Sequence, residues 1–227
     1  MINFRRAMPP PKKLQERSFE GVKNCLIEMQ ANKCYMCERK APDSSQIEHF
    51  IPVSKGSEEL KFSWENLFLA CGHCNSIKNH VSDRQDPALS ILNCTDYSTI
   101  ITDAIHFQCE GKPRERVIIK SASENPTKQV LDTIKLLDQI FNYNSESLAF
   151  DAKVLTDEVI QEMKKLLDLL HTYEFNSHSI SKKEGIKNDI KDALSVESPF
   201  TAFKIWYIKR YFSNSEFDDL LPIFEIN

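Results

Sequence analysis

Four cysteines form two Cys-x-x-Cys pairs in the first third of the 227-residue chain: Cys34 with Cys37, and Cys71 with Cys74. Each pair can direct two sulfurs toward one point, and four thiolates about 2.3 Å from an ion complete the tetrahedral shell that Zn²⁺ prefers. A shell closed by four thiolates stabilises structure and does not perform catalysis. The spacing disfavours the alternative of two unrelated pairs of free thiols. It therefore predicts a structural zinc site.

Local patterns predict the elements that hold the polar residues between the two cysteine pairs. The predicted elements are, in order, a strand over 45–53, a turn over 54–57, a return strand over 62–69 and a helix over 75–80. Glu48 and His49 lie on the first strand, Asn66 on the return strand, and Asn75 at the start of the helix. Taken alone, His49 would be interpreted as a packed strand histidine. Its position between the cysteine pairs favours a catalytic role instead.

This ordered set resembles the HNH endonucleases of the ββα-metal, or His-Me finger, superfamily. The pattern runs from Cys-x-x-Cys through acid-His-x-x-Pro-x-Ser-x-Gly and Asn-Leu to Cys-x-x-Cys-Asn-x-x-Lys. Its matches in this chain are Cys34, Cys37, Glu48, His49, Pro52, Ser54, Gly56, Asn66, Leu67, Cys71, Cys74, Asn75 and Lys78. The resemblance covers about residues 30–80 and implies a small zinc-stapled finger of two strands and a helix.

The resemblance also implies a role for each polar residue. His49, with an ordinary pKa of about 6.5, would be neutral and take a proton from an attacking water. Glu48 and Asn75 would hold a catalytic divalent cation, Mg²⁺ or Mn²⁺, through hard oxygen ligands. Asn66 would brace the loop that carries the histidine. Lys78 would contact a phosphate of the nucleic acid.

Two positions depart from the commonest form of the family pattern. Asn75 stands where many members have histidine, and Glu48 stands where many have aspartate. Asparagine still provides an oxygen ligand, whereas the longer glutamate places its direct metal contact in doubt. His73 and His80 lie near enough in sequence to compete with Asn75 and stay open as alternatives.

A second resemblance extends beyond the finger. It rests on Asp86-Pro87, residues 92–96, a hairpin with Phe107, residues 127–137 and residues 198–204. These features are similar to the HNH subunit of Septu-type anti-phage systems, which works with an ATPase subunit. The resemblance implies an ATPase partner that docks on the helical region. The alternative is that those helices only buttress the finger.

Charge and composition support a water-soluble chain in two parts. Residues 1–80 carry 12 basic and 9 acidic side chains, whereas residues 81–227 carry 17 basic and 24 acidic ones. Hydrophobic residues make up 41% and charged residues 27%, and no apolar run is long enough to span a membrane. The N-terminal segment does not have the pattern of a secretory signal, so a cytoplasmic location is expected. There the remaining cysteines, Cys25, Cys94 and Cys109, are expected to be buried thiols.

The rest of the chain is predicted to be mainly helical. The expected elements are a lead-in helix over 18–31, a hairpin over 104–120, helices over 127–141 and 157–173, a connector or surface helix within 174–198, and a last helix capped by Ser198 before Pro199. The fold class is therefore α+β, with a ββα-metal finger and a mainly α-helical C-terminal region. The predicted division is an arm and lead-in helix over 1–30, the finger over 31–85, and a hairpin with helices over 86–227.

The expected function is that of a metal-dependent HNH endonuclease that hydrolyses phosphodiester bonds in DNA within an anti-phage complex. Two alternatives remain. One is an HNH nuclease that acts on RNA, because metal-assisted hydrolysis does not use the 2′-hydroxyl. The other is a non-catalytic zinc module that binds nucleic acid or protein.

Overall fold

The computed structural model describes residues 1–6, 8–42, 44–82, 88–143, 148–175, 180–213 and 215–224. The strands are β1 (Ser45–His49), β2 (Leu67–Cys71), β3 (Ile105–Glu110) and β4 (Arg116–Ser121). The helices are α1 (Lys12–Gln15), α2 (Val22–Met29), α3 (Glu58–Lys61), α4 (Gly72–His80), α5 (Ile101–Ala104), α6 (Lys128–Asn142), α7 (Ala149–Phe175), α8 (Ile180–Leu194) and α9 (Thr201–Tyr211). Short 3-10 turns lie at Val53–Lys55, Trp64–Asn66 and Asp218–Leu220.

Strands β1 and β2 pair antiparallel, and helix α4 follows β2 directly and packs on both strands. The register places Ser45 opposite Cys71 and His49 opposite Leu67. Every residue of β2 is buried. Because the side chains of a strand alternate between its faces, a fully buried strand must be covered on both sides. Helix α4 covers one side, and helix α2 covers the other.

The side covered by α2 has a small core of its own, separate from the main core. It consists of Leu14, Val22, Leu26, Trp64, Leu67 and Leu69. Phe68 and Ala70, on the opposite face of β2, belong to the main core. The apolar run of β2 therefore joins two cores, and the lead-in helix is part of the support of the finger.

Strand β1 ends at His49, four residues before the predicted end. The amide of Phe50 donates to the carbonyl of Asn66. The side chain of Asn66 accepts a hydrogen bond from the Ile51 amide and donates one to the Ile51 carbonyl. Pro52 has no amide hydrogen, so it cannot donate a hydrogen bond to a neighbouring strand. The loop is longer than the predicted turn and includes α3, and Asn66 closes a 3-10 turn just before β2.

The C-terminal region packs around the β3–β4 hairpin, which the sequence predicts. Helix α6 lies against β4, α9 lies against β3, and α7 contacts α6, α8 and α9. Apolar residues at helical spacing on α6 and α7 face the main core, as their periodicity predicts. The fold is therefore α+β, with two small two-stranded sheets and a helical C-terminal part.

Three helix predictions differ from the structure. Helix α7 begins at Ala149, eight residues before the predicted start. The connector over 174–198 contains a full helix, α8, which buries Ile186, Ile190 and Leu194. The last helix begins at Thr201, after Phe200 in a left-handed conformation, and not at Pro199. Phe200, with a φ of 53°, cannot continue a right-handed helix, and the Ser198 hydroxyl accepts a hydrogen bond from Lys204 and caps no helix amide.

The predicted boundary between residues 85 and 86 and the Asp86-Pro87 pair lie outside the described residues, so the division of the chain stays a prediction. Among the described residues, the helices are too short or too polar to cross a membrane.

Candidate functional site

The four cysteines of the two pairs converge on one point. Their sulfur atoms all lie within 4.8 Å of one another, and the sulfurs of Cys37 and Cys71 are 3.9 Å apart. Four sulfurs around Zn²⁺ at about 2.3 Å would be separated by about 3.8 Å, so the cluster has the size of a thiolate shell. All four side chains are buried, and none forms a disulfide. The group can therefore hold a structural metal such as zinc.

The titration of the cluster also suits a cation. Burial raises the pKa of the Cys37 and Cys74 thiols well above the ordinary value. At Cys34, burial acts in the same direction, but hydrogen bonds from the other three thiols outweigh it and lower its pKa. Several thiolates in one buried pocket repel each other unless a cation balances them. A bound divalent ion would provide that charge.

The local backbone brings the second cysteine pair onto the helix. Helix α4 begins at Gly72, inside the pair, and the Cys71 sulfur accepts a hydrogen bond from the Cys74 amide at 3.5 Å. A Cβ atom at Gly72 would lie 2.9 Å from the Ser44 hydroxyl, so the close approach of these segments favours glycine. The contact of Gly72 with Ser44 therefore places the start of α4 against the start of β1, and the cysteine cluster joins the start of α4 to the first cysteine pair.

His49 is at the opposite end of β1, where the strand meets the loop. Its Nε2 atom lies 3.0 Å from the carbonyl oxygen of Lys61, and its ring meets the Phe19 ring edge to face at 6.0 Å. A carbonyl only accepts, so Nε2 carries the proton and donates it. In a neutral ring this leaves Nδ1 as the proton acceptor. The structure therefore contains the tautomer-fixing carbonyl contact that a histidine base needs.

Asn66 ties together the two ends of the loop that follows His49. Its Oδ1 accepts from the Ile51 amide at 2.7 Å, and its Nδ2 donates to the carbonyls of Ile51 and Leu60 at 3.1 and 3.0 Å. The side chain is buried. The Leu60 carbonyl is adjacent in sequence to that of Lys61, which contacts His49. The bracing contacts expected of Asn66 are therefore present.

Glu48 and Lys78 form a buried ion pair on the face of β1 that α4 covers. The Lys78 ammonium donates to a Glu48 carboxylate oxygen at 2.5 Å and to the His49 carbonyl at 2.8 Å. Burial raises the pKa of Glu48, although the Lys78 charge opposes the shift. Lys78 is only 2% exposed. Its contacts position the end of β1, and the phosphate contact predicted for it would require the ammonium to leave them.

Asn75 lies on the open side of α4 and does not contact His49. Its Nδ2 donates to Gln46 at 2.7 Å, and its Oδ1 accepts from Asn79 at 3.1 Å. Gln46 and Glu48 share one face of β1, because strand residues two apart point the same way. Asn75 and Glu48 therefore face the same side of the hairpin, whereas His49 lies on the other face, at the strand end.

The two alternative histidines have different settings. His73 is buried, and its Nε2 atom lies 2.8 Å from the Ile140 carbonyl on α6, so it packs the finger against the C-terminal region. His80, half-buried at the end of α4, meets the Tyr143 ring edge to face at 6.3 Å. In the described part of the chain, neither histidine forms a hydrogen bond or a ring contact with Glu48 or His49.

Sequence reasoning missed several residues that complete this site. Phe19, Gln46 and the carbonyl of Lys61 each contact a predicted site residue. Strand alternation could have singled out Gln46, two residues before Glu48. Phe19 and Lys61 approach His49 only through the fold of the loop and the lead-in segment, which no local pattern reveals.

Comparison with known proteins agrees with this arrangement. Residues 34–80 match the family model for HNH endonucleases. The chain is 23% identical over 206 residues to the Septu protein PtuB of Bacillus thuringiensis, a match that covers 89% of this chain and 72% of that protein. No solved structure matches significantly. Residues 34–80 are thus similar to HNH endonucleases, and the chain is similar, over most of its length, to a Septu protein.

Proposed function

We propose that this chain is a metal-dependent endonuclease that hydrolyses phosphodiester bonds in DNA, as the effector of an anti-phage complex with an ATPase partner. The observation that carries the proposal is the fixed orientation of His49. A ring whose Nε2 donates to a backbone carbonyl presents Nδ1 as a base, and Asn66 holds the loop that supplies this carbonyl. The match to the HNH family supports a nuclease, and the similarity to a Septu protein supports the setting.

His49 would remove a proton from the water that attacks the phosphorus. Such a base contributes about 10²–10⁴-fold to a reaction rate when it is within hydrogen-bond reach of the proton. Its partly exposed position at the end of β1 leaves room for a substrate, whereas a fully packed histidine would have none. Phe19 limits the rotation of the ring from the other side.

Glu48 and Asn75 are the proposed oxygen ligands of Mg²⁺ or Mn²⁺. When bound, such an ion stabilises the charge that develops on the phosphate and on the leaving oxygen. The donor chemistry fits, since a carboxylate and an amide oxygen are hard ligands on one face of the hairpin. Lys78 engages the Oε1 atom of Glu48, so Oε2 would be the ligand of the ion.

The ATPase partner and the choice of DNA rest on the resemblance to Septu proteins and not on a contact in the chain. The proposed docking surface is the helical C-terminal region. A structural zinc held by the four cysteines would keep β1 and α4 in register while the partner and the DNA bind.

The experiment is a cleavage assay with plasmid DNA and structured RNA, each with Mg²⁺, Mn²⁺ or EDTA. The chain is tested alone and copurified with the proposed ATPase partner. The proposal expects metal-dependent nicking or cutting of DNA in at least one of these preparations. Cleavage of RNA alone would overturn the choice of substrate. An inactive complex with full zinc content would favour the non-catalytic zinc module.

A further inference from the structure

A concave surface lies at the C-terminal end of α9, far from the point where the finger packs on this helix. Its volume is about 740 Å³, within the range of about 300–1,000 Å³ that is usual for ligand sites. Its lining residues, named here the α9 groove, are Thr102, Asp103, His106, Gln108, Trp206, Lys209, Arg210 and Tyr211. The finger meets α9 at its other end, where the Ala202 amide contacts Glu38. The groove is therefore separate from the proposed catalytic site but belongs to an element that touches the finger.

Three aromatic rings line the α9 groove. The centroids of His106 and Trp206 are 6.2 Å apart, with 57° between the ring planes. Those of Trp206 and Tyr211 are 6.1 Å apart at 89°. None of these pairs is stacked face to face, so the rings do not cover each other. Tyr211 packs against Tyr207, with ring centroids 4.8 Å apart at 47°, and its side chain is still 59% exposed.

The charge of the α9 groove is opposite to that of the surrounding half of the chain. Lys209 pairs with Asp103, whereas Arg210 has no ion pair or hydrogen bond among the described residues. Lys120 lies beside His106 in the β-ladder and is exposed. Burial and the neighbouring Arg210 charge lower the pKa of His106, so its ring is neutral at physiological pH. A positive patch within an acidic region attracts an anionic ligand.

One buried polar atom at the groove is unsatisfied. The Thr102 hydroxyl is buried and has no hydrogen-bond partner in the described part of the chain. Thr102 itself is 4% exposed. Buried polar groups are nearly always paired, so an unpaired hydroxyl beside a concave surface indicates a missing partner.

We propose that the α9 groove binds a single-stranded segment of DNA, with bases stacked on Trp206 and Tyr211 and a phosphate on Arg210. Partly exposed rings beside cations are the combination that single-stranded nucleic acids require, because every base has a face to stack and every phosphate has a charge. An acidic peptide would use the cations but would gain little from the rings. The proposal rests on DNA as the proposed substrate, and it assigns the groove to strand holding and not to cleavage.

The first test uses the intrinsic fluorescence of the full chain, which contains two tryptophans, Trp64 and Trp206. The protein is titrated with oligothymidylate of about 12 nucleotides, a length typical of such sites, in EDTA so that no cleavage occurs. Quenching is expected for the wild type and for Trp64→Phe, and it should disappear in Trp206→Phe. Quenching that persists in Trp206→Phe and disappears in Trp64→Phe would overturn the proposal.

The second test measures affinity by the anisotropy of a labelled oligonucleotide. Trp206→Ala should weaken binding by about 5- to 150-fold, because one stacked base contributes about 1–3 kcal/mol and 1.4 kcal/mol corresponds to a factor of ten. Arg210→Ala should also weaken binding, and more strongly at low salt, because it removes the charge that holds a phosphate. Arg116→Ala is the matched control, since Arg116 is an exposed arginine on the β3–β4 hairpin, which also carries His106, but lies outside the groove. Circular dichroism checks the fold of Trp206→Ala, and Arg210 is exposed, so its variant should fold normally.

Equal affinities for the groove variants and the control would overturn the proposal, as would binding of polyglutamate in place of the oligonucleotide. Both tests are independent of cleavage. A chain that cuts DNA but shows no groove effect would lose only the α9 groove proposal. A chain that binds through the groove but never cuts DNA would lose the proposed function.

Discussion

At the scale of single residues, the end of β1 is held by two side chains that reach it from different elements. Asn66 binds the loop after His49, and Lys78 binds the His49 carbonyl from α4. Both side chains are buried, so the polar groups that they bind would have no access to water if either side chain were removed. The cost of removing either should therefore exceed that of an ordinary surface hydrogen bond.

Asn66→Ala should destabilise the protein by about 1–3 kcal/mol or more, because it leaves the polar groups of Ile51 and Leu60 without their partner. Urea unfolding measures the change. Asn79→Ala is the matched control, since Asn79 is exposed on α4 and donates one side-chain hydrogen bond. Equal unfolding midpoints for the two variants would show that Asn66 does not brace the loop.

Lys78→Met should be strongly destabilising, by about 3–5 kcal/mol, because it leaves the Glu48 carboxyl buried without its cation. The double variant Lys78→Met/Glu48→Gln should recover a large part of the loss. Urea unfolding of the two single variants and the double variant gives the coupling energy. Strictly additive effects would mean that the pair does not act as a unit.

At the scale of elements, the sequence reveals features that depend on local pattern. The cysteine pairs, the β3–β4 hairpin and the apolar stripes of α6 and α7 can be predicted from spacing and periodicity alone. The length of β1 cannot, because it ends where the side chain of Asn66, 15 residues beyond Ile51, replaces the ladder. The start of α9 cannot be predicted either, because it follows the left-handed conformation of Phe200 and not a cap at Ser198.

The candidate site follows the same rule. The motif residues were found because their order in the chain is characteristic. The hydrogen bonds between these residues could not be predicted, because the contacts of Lys78 with Glu48 and of Asn75 with Gln46 depend on how α4 lies across β1. The settings of the two histidines near Asn75 likewise depend on α6 and on Tyr143.

The two cysteine pairs should stabilise the finger through the metal, so Cys71→Ser should cost far more than Cys109→Ser. Cys71 is in the four-thiol cluster, whereas Cys109 lies on β3, outside that cluster. Elemental analysis should find about one zinc per chain in the wild type and in Cys109→Ser, and much less in Cys71→Ser. Melting temperatures complete the comparison. A folded wild type without zinc, or equal melting temperatures, would contradict the structural role.

At the scale of the whole molecule, the finger and the C-terminal region share a buried polar network. Lys33, just before the first cysteine pair, is 4% exposed and donates to the carbonyls of Val196 and Ser198 at 2.8 and 2.7 Å. Glu38 lies 3.4 Å from the same ammonium, and its carboxylate also accepts from the Ala202 amide at the start of α9. The segment that holds the metal is therefore joined to the helices on which a partner is proposed to dock.

Because of this network, we expect the finger and the helices to unfold together. Zinc release, detected with a chelating dye, and loss of helical circular dichroism should have one midpoint. Lys33→Met should lower that midpoint strongly or separate the two transitions, since it leaves Glu38 without one of its buried partners. Lys40→Met is the control, because Lys40 donates to the Glu197 carbonyl at the surface. Separate transitions in the wild type would contradict the coupling.

The measurement that tests the central claim most directly is the rate of DNA cleavage by the wild type and by His49→Ala, each with Mg²⁺ and the proposed ATPase partner. His80→Ala is the control histidine variant, and zinc content and melting temperature confirm that each variant is folded. The account predicts that His49→Ala loses about 10²–10⁴-fold in rate with its zinc retained, whereas His80→Ala stays within a few-fold of the wild type. Equal cleavage by the wild type and His49→Ala would contradict it.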